Sequence, residues 1–137
     1  MSKKRKMKVL VVDNEKEFAS TLADHLKLRK LDADSVCSGT QALEFVSKYH
    51  PDVLILDLQM PDIGGLDILA KIKALDSTIE VIMATGNGSL DIGIACMQLG
   101  AFDYLIKPID LDQLVETIIG AFDNRTLTLK KRNAAYL

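Results

Sequence analysis

Polar side chains that could bind a metal ion or a phosphoryl group follow several short apolar segments of this sequence. They are Asp13 with Asn14, Asp57, Thr85 and Lys107. Carboxylate and amide oxygens together with waters suit a hard divalent cation such as Mg²⁺, while a hydroxyl and an ammonium stabilise phosphoryl oxygens. An aspartate is also a nucleophile that forms acyl phosphates, and Asp57 is the natural candidate because it stands alone after the most apolar segment. These residues indicate phosphoryl transfer to a carboxylate.

This chemistry requires residues that are far apart in sequence to meet, and the order of the predicted elements indicates how. Apolar, often β-branched runs predict five strands, at 8–12, 33–37, 53–56, 79–84 and 103–106. Amphipathic segments predict five helices, at about 15–30, 40–50, 66–73, 89–99 and 111–122. The alternation predicts an α/β fold, a flavodoxin-like, doubly wound parallel sheet of strand order 2-1-3-4-5.

In a sheet of this order, ligands bind outside the carboxyl ends of the strands, where the strand order reverses. That point lies between the first and third strands, so we expect Asp13 and Asp57 to meet there. Thr85 and Lys107 would stand alongside them. Two adjacent carboxylates repel each other unless a cation intervenes, and this favours a divalent metal ion at the same place.

Local signals give more detailed expectations. Thr40 is a candidate cap for the second helix. Gly93 should make the fourth helix the least secure, because a glycine within a helix costs about 0.5–1 kcal/mol relative to alanine. We expect a basic tail at 1–6, one domain at 7–123, and a helix extension or linker at 124–137 that has no role in the core.

Length and charge limit the classes of function. The 137 residues suit one domain, and a net charge of −2 creates no field that favours nucleic acid or an anionic membrane. No stretch approaches the ~20 apolar residues of a membrane span, and the apolar run at 9–12 is too short for a signal peptide. We therefore expect a cytoplasmic protein that binds neither nucleic acid directly nor a membrane.

Four segments in register resemble the receiver domain of two-component response regulators. They are VLVVDNE (9–15), LILDLQMPD (54–62), VIMATGNG (81–88) and AFDYLIKP (101–108), and the resemblance covers about residues 7–123. It implies that Asp57 accepts a phosphoryl group from a phosphohistidine of a sensor histidine kinase or a histidine phosphotransfer protein. Such a domain catalyses only its own phosphorylation and dephosphorylation, so it is a signalling protein and not an enzyme acting on other substrates.

The resemblance also implies roles for other residues. Mg²⁺ would be bound by Asp13, Asn14, Asp57 and the backbone carbonyl of Gln59. Thr85 would bind the phosphoryl group and Lys107 would pair with it, with the Lys107–Pro108 bond in the cis form.

Signalling roles follow from the same resemblance. Tyr104 matches the switch aromatic that turns inward as Thr85 moves. The fourth helix, fifth strand and fifth helix would form the surface that contacts a downstream protein, an output domain or a second copy in a homodimer. Gln59 and Asn87 match positions that tune the lifetime of the phosphoryl group.

One departure from the family leaves an alternative open. The family usually has two acids after the first strand, whereas Asn14 brings an amide oxygen without charge, so we expect weaker metal binding. The alternative is a pseudo-receiver, a protein-binding module with weak or no phosphorylation. A flavodoxin-like cofactor protein would need a Ser/Thr/Gly-rich loop after the first strand. A phosphohydrolase would need an acid two residues after its nucleophile, where this chain has Gln59.

Overall fold

The computed structural model describes residues 6–86 and 88–135, and within these ranges strands and helices alternate. The strands are β1 Lys8–Val12, β2 Asp32–Val36, β3 Val53–Asp57, β4 Glu80–Thr85 and β5 Asp103–Ile106. The helices are α1 Lys16–Leu28, α2 Gly39–Tyr49, α3 Gly65–Leu75, α4 Leu90–Gln98 and α5 Leu111–Ala135. Neighbouring strands pair in parallel in the order β2-β1-β3-β4-β5. The predicted flavodoxin-like fold is confirmed.

The central strands β1, β3 and β4 are apolar between their end residues, because helices cover both faces of the sheet. Successive side chains of a strand point to opposite faces, and β1 divides accordingly. Val9 and Val11 join the core under α1 and α5, whereas Leu10 and Val12 join the core under α2, α3 and α4. The sheet is thereby fixed between two apolar layers, and its carboxyl edge remains accessible for polar groups.

The second helix is capped by Ser38, so the prediction that Thr40 is its cap is wrong. Ser38 has an extended backbone, and its hydroxyl accepts a hydrogen bond from the Gln41 N–H at 3.1 Å. The helix begins at Gly39, whereas a cap at Thr40 would start it at Gln41. Both the Thr40 N–H and its hydroxyl bond to Asp62 in the loop after β3.

The glycine within α4 has a packing role that its helix propensity does not reveal. A Cβ atom at Gly93 would lie 3.1 Å from the Tyr104 ring. This is tighter than an ordinary van der Waals contact, so the missing side chain makes room for the aromatic ring. The Tyr104 hydroxyl donates a hydrogen bond to the Ser89 carbonyl at 3.1 Å.

The last helix, α5, continues past residue 123, where we expect the domain to end. Arg125 Nη1 lies 2.9 Å from the fully buried carboxylate of Asp52, and the Asn124 amide donates to Glu80 at 2.6 Å. The expectation that residues after 123 have no role in the core is therefore wrong for Arg125. Within the described ranges no helix, α5 included, is both long and apolar enough to span a membrane.

Candidate functional site

The carboxyl edge of the sheet holds the polar residues singled out from the sequence. Asp57 and Thr85 end β3 and β4, while Asp13 and Lys107 directly follow β1 and β5. The register pairs Asp57 with Ala84, so Thr85 stands one residue further along the neighbouring strand. Parallel pairing thus brings side chains separated by dozens of residues to one edge.

Lys107 contacts both acids of this edge. Its Nζ lies 2.8 Å from Asp13 Oδ2 and 3.7 Å from Asp57 Oδ1. Its backbone N–H donates to the Thr85 carbonyl at 2.8 Å, and the bond from Lys107 to Pro108 is cis. The lysine is therefore fixed by its backbone and its side chain.

The two acids are buried, and this affects the ionisation of Asp57. Asp13 is 2% exposed and Asp57 is 6% exposed. Burial, and next the Asp13 carboxylate, raise the pKa of Asp57 above its ordinary value of 3.8. The Gln59 N–H, which donates to Asp57 Oδ1 at 3.3 Å, and the Lys107 ammonium oppose this rise in pKa without cancelling it. The site carries more negative charge than its own lysine neutralises.

The donor atoms at this edge fit a magnesium ion. Asp13 and Asp57 supply two carboxylates, the exposed Asn14 side chain follows directly, and the Gln59 backbone follows Asp57 in the next loop. Mg²⁺ takes one or two carboxylates and keeps several waters, which matches this set. No group of three or more His, Cys, Asp or Glu residues suited to a metal occurs in the described part of the chain. Further ligands would therefore have to be Asn14, a backbone carbonyl and water.

The raised pKa of Asp57 predicts how replacing it changes stability. A carboxyl group that ionises less readily in the folded protein than in the unfolded chain stabilises the fold below its unfolded pKa. That contribution is lost as the pH rises through its folded pKa. We expect metal-free Asp57→Asn to be more stable than the wild type at neutral pH, with a difference that shrinks as the pH falls toward 3.8. Urea unfolding without divalent ions measures this difference, and Asp123→Asn, which changes an exposed acid outside the site, is the control. An Asp57→Asn variant that is no more stable than the wild type at neutral pH would contradict the raised pKa of Asp57.

Two contacts, one at the site and one in the loop after Asp57, could not be predicted from the sequence. The Lys107 Nζ lies 4.8 Å from the ring centroid of Phe18, which the sequence placed only on the apolar face of a helix. Asp62, predicted to lie in a loop, bonds to the start of α2. Only tertiary proximity reveals either contact, because each partner lies more than twenty residues away. Asn87 lies outside the described residues.

Comparison with known families agrees with this geometry. A sequence model of the response regulator receiver domain matches residues 9–119. This chain belongs to the receiver domain family of response regulators. The receiver domains of this family act in two-component systems as regulatory proteins and not as metabolic enzymes.

Relatives of this receiver domain include both short and long proteins. Sporulation initiation phosphotransferase F of Bacillus subtilis is 32% identical over 111 residues, which cover 81% of this chain and 90% of the relative. The C4-dicarboxylate transport transcriptional regulatory protein DctD of Rhizobium meliloti is 30% identical over 125 residues, 91% of this chain but 27% of the relative. This receiver domain spans only about a quarter to a half of several curated relatives.

Solved receiver domains share the fold. A response regulator receiver domain protein from Clostridium thermocellum is 33% identical, with a TM-score of 0.83, over 88% of this chain and 97% of the other. A CheY-like receiver domain protein from Methanospirillum hungatei is 22% identical, with a TM-score of 0.85, over 90% and 99% of the two chains. The second likeness concerns the fold alone.

Proposed function

We propose that this receiver domain accepts a phosphoryl group on Asp57 from a phosphohistidine, in a His-Asp phosphorelay in the cytoplasm. The donor would be a sensor histidine kinase or a histidine phosphotransfer protein. The observation that carries the proposal is the position of Lys107, whose ammonium contacts both Asp13 and Asp57 at the carboxyl edge of the sheet. One lysine leaves the buried acid pair with excess negative charge, which a bound divalent cation would offset so that an anionic phosphoryl group can approach.

The proposed step is an in-line displacement at phosphorus. A carboxylate oxygen of Asp57 forms the new O–P bond as the P–N bond to the donor imidazole breaks, and the electron pair of that bond remains on the imidazole nitrogen. Lys107 pairs with a phosphoryl oxygen, and the Thr85 hydroxyl donates a hydrogen bond to another. Fixed donors of this kind stabilise charge as it develops in the transition state. Attack by water on the acyl phosphate would return Asp57 to its starting form.

Magnesium is the proposed cofactor. Asp13, Asn14, Asp57 and the backbone carbonyl of Gln59 would hold it, and when bound it supplies positive charge that offsets the carboxylates and the phosphoryl oxygens. Favouring the ionised carboxylate matters here, because burial raises the pKa of the acceptor Asp57. With Asn14 in place of a second acid, we expect metal binding that is adequate but weaker than with three carboxylates.

The proposed output surface consists of α4, β5 and α5. Large apolar side chains are exposed on all three elements, at Leu90, Ile94, Met97, Ile106 and Ile119. Tyr104 borders a groove of about 670 Å³ between α4 and β5. Phosphorylation would draw Thr85 toward the phosphoryl group and let the Tyr104 ring turn inward. This would change the surface that meets a downstream protein, an output domain or a second copy.

A mass measurement tests the proposal. We expect the wild type, incubated with acetyl phosphate and Mg²⁺, to gain the mass of one phosphoryl group, because the site itself catalyses the transfer. Asp57→Asn should gain nothing, and omission of Mg²⁺ or addition of a chelator should abolish the gain. Asp123→Asn, which alters an exposed acid far from the site, should react like the wild type.

Two outcomes of that experiment would contradict the proposal. A wild type that gains no phosphoryl group would favour the alternative that the domain is a pseudo-receiver, for which the comparisons give no support. A phosphoryl group detected on the Asp57→Asn variant would show that another residue is the acceptor.

A further inference from the structure

The loop between β3 and α3 carries one proposed metal ligand on a mostly exposed segment. Gln59, Pro61 and Asp62 are exposed, whereas Asp57 directly before the loop is buried. At its base the loop is held by backbone hydrogen bonds, from the Leu58 N–H to the Ala84 carbonyl at 3.3 Å and from Gly65 back to Leu58 at 3.0 Å. These bonds fix where the loop starts and ends but not its outer part.

Asp62 fastens the outer part of this loop to another element. Its Oδ1 accepts from the Gly39 N–H at 2.9 Å, and its Oδ2 accepts from the Thr40 N–H at 3.0 Å and the Thr40 hydroxyl at 2.9 Å. The hydrogen bond from the Gly39 N–H, followed in size of effect by the one from the Thr40 N–H, holds the pKa of Asp62 well below its usual range. Hydrogen bonds to an ionised acceptor are stronger than neutral ones, and a carboxylate is favoured at the start of a helix.

The helix that receives this carboxylate is itself held firmly. A Cβ atom at Gly39 would lie 2.8 Å from the Ile68 side chain and 3.1 Å from Ile63, so the start of α2 packs closely on α3 and on the loop. Ser38 caps the helix independently of Asp62, through the Gln41 N–H. The start of α2 therefore offers Asp62 a rigid anchor.

We propose that Asp62 is a positioning residue for the phosphorylation site, which ties the loop after Asp57 to α2 and so holds the Gln59 backbone at the metal position. Asp62 acts through the loop and contacts neither the metal nor the phosphoryl group. The inference rests on the proposed function, because it concerns a ligand of the magnesium ion that the proposed function requires.

Replacement of Asp62 should therefore weaken metal binding in a folded protein. We expect Asp62→Ala to raise the Mg²⁺ dissociation constant about tenfold, since residues that support metal ligands typically contribute 10- to 100-fold to affinity. Asp62→Asn, which keeps one acceptor oxygen, should have a smaller effect. Calorimetric titration with Mg²⁺ gives these constants. In the metal-free protein, amide exchange at Gln59 should be faster in Asp62→Ala than in the wild type.

Ser38→Ala is the matched control, because it removes a cap from the same helix start without touching the loop. It should lower thermal stability as Asp62→Ala does, yet leave the Mg²⁺ dissociation constant and the exchange at Gln59 unchanged. Equal loss of affinity in both variants would show that Asp62 acts only through the stability of α2, and the positioning role would be rejected. An Asp62→Ala variant that binds Mg²⁺ as tightly as the wild type would reject it too. A wild type that neither binds Mg²⁺ nor takes a phosphoryl group would instead refute the proposed function.

Discussion

Replacing Lys107 with methionine is expected to slow phosphorylation of Asp57 about 100-fold, the typical effect of removing one fixed group that stabilises a developing oxyanion. The Lys107 ammonium lies 3.7 Å from Asp57 and would meet the oxygens of the incoming phosphoryl group. Its loss also removes an influence that lowers the pKa of Asp57, so less of the acceptor would be ionised. The rate of adduct formation with acetyl phosphate, followed by intact mass, measures the effect.

Metal binding separates this role from general damage to the site. Lys107 Nζ lies 2.8 Å from Asp13, so the ammonium competes with a metal ion for the same carboxylate. We therefore expect Lys107→Met to bind Mg²⁺ at least as tightly as the wild type while it reacts more slowly. The control is Lys73→Met, which removes another partly buried lysine, paired with Glu80 at the opposite edge of the sheet. If Lys107→Met reacts at the wild-type rate, or if Lys73→Met slows equally, the proposed role of Lys107 is wrong.

Replacing Arg125 with methionine is expected to lower the free energy of unfolding by about 3 kcal/mol, because removal of one partner leaves a buried charge uncompensated. Asp52 is fully buried, and Arg125 reaches it at 2.9 Å with a side chain that is only 12% exposed. The other Asp52 oxygen accepts the Lys8 N–H at 2.9 Å, so the carboxylate joins β1 and α5 at the amino edge of the sheet. Urea unfolding should show a lower midpoint with an unchanged slope.

Two variants isolate the buried charge as the cause, and a truncated chain tests the same contact. Arg132→Met removes an exposed arginine that bonds to Ser77 further along α5, and it should cost less than about 1 kcal/mol. The double variant Asp52→Asn with Arg125→Met should recover part of the loss, because it neutralises the stranded carboxylate. A chain ending at residue 123 should be at least as unstable as Arg125→Met. If Arg125→Met unfolds at the wild-type midpoint, the contact with Asp52 contributes nothing to stability.

The fold and the core of the site could be predicted because the site residues lie at the carboxyl ends of the strands. Each of Asp13, Asp57, Thr85 and Lys107 lies at or just after the end of a strand, and parallel pairing alone brings those ends together. The apolar runs of the buried strands are long enough to identify, and the alternation with helices determines the fold class. The strand order then places the first and third strands side by side.

Contacts between side chains of distant elements could not be predicted in this way. Asp52 follows a proline, so its local sequence indicates a loop. Arg125 lies in a polar segment that lacks the apolar periodicity of a helix face packed on the core. Their partnership depends on how α5 crosses the amino edge of the sheet, which is set by packing and not by local sequence. The hydrogen bonds from Thr40 to Asp62 are hidden for the same reason, and the sequence favours Thr40 as a cap because a hydroxyl near a helix start suits that role equally well.

The unbroken course of α5 has a consequence for protein engineering. Its 25 residues form a rod about 37 Å long, and Arg125 fastens it to the sheet part-way along. A reporter protein joined in helical register to this rod would be held at a defined angle to the domain. Each residue added to the joint would turn the reporter by about 100° and move it by about 1.5 Å. In a series of fusions that differ by single residues, the reporter would therefore turn toward the domain and away from it, with a period near 3.6 residues.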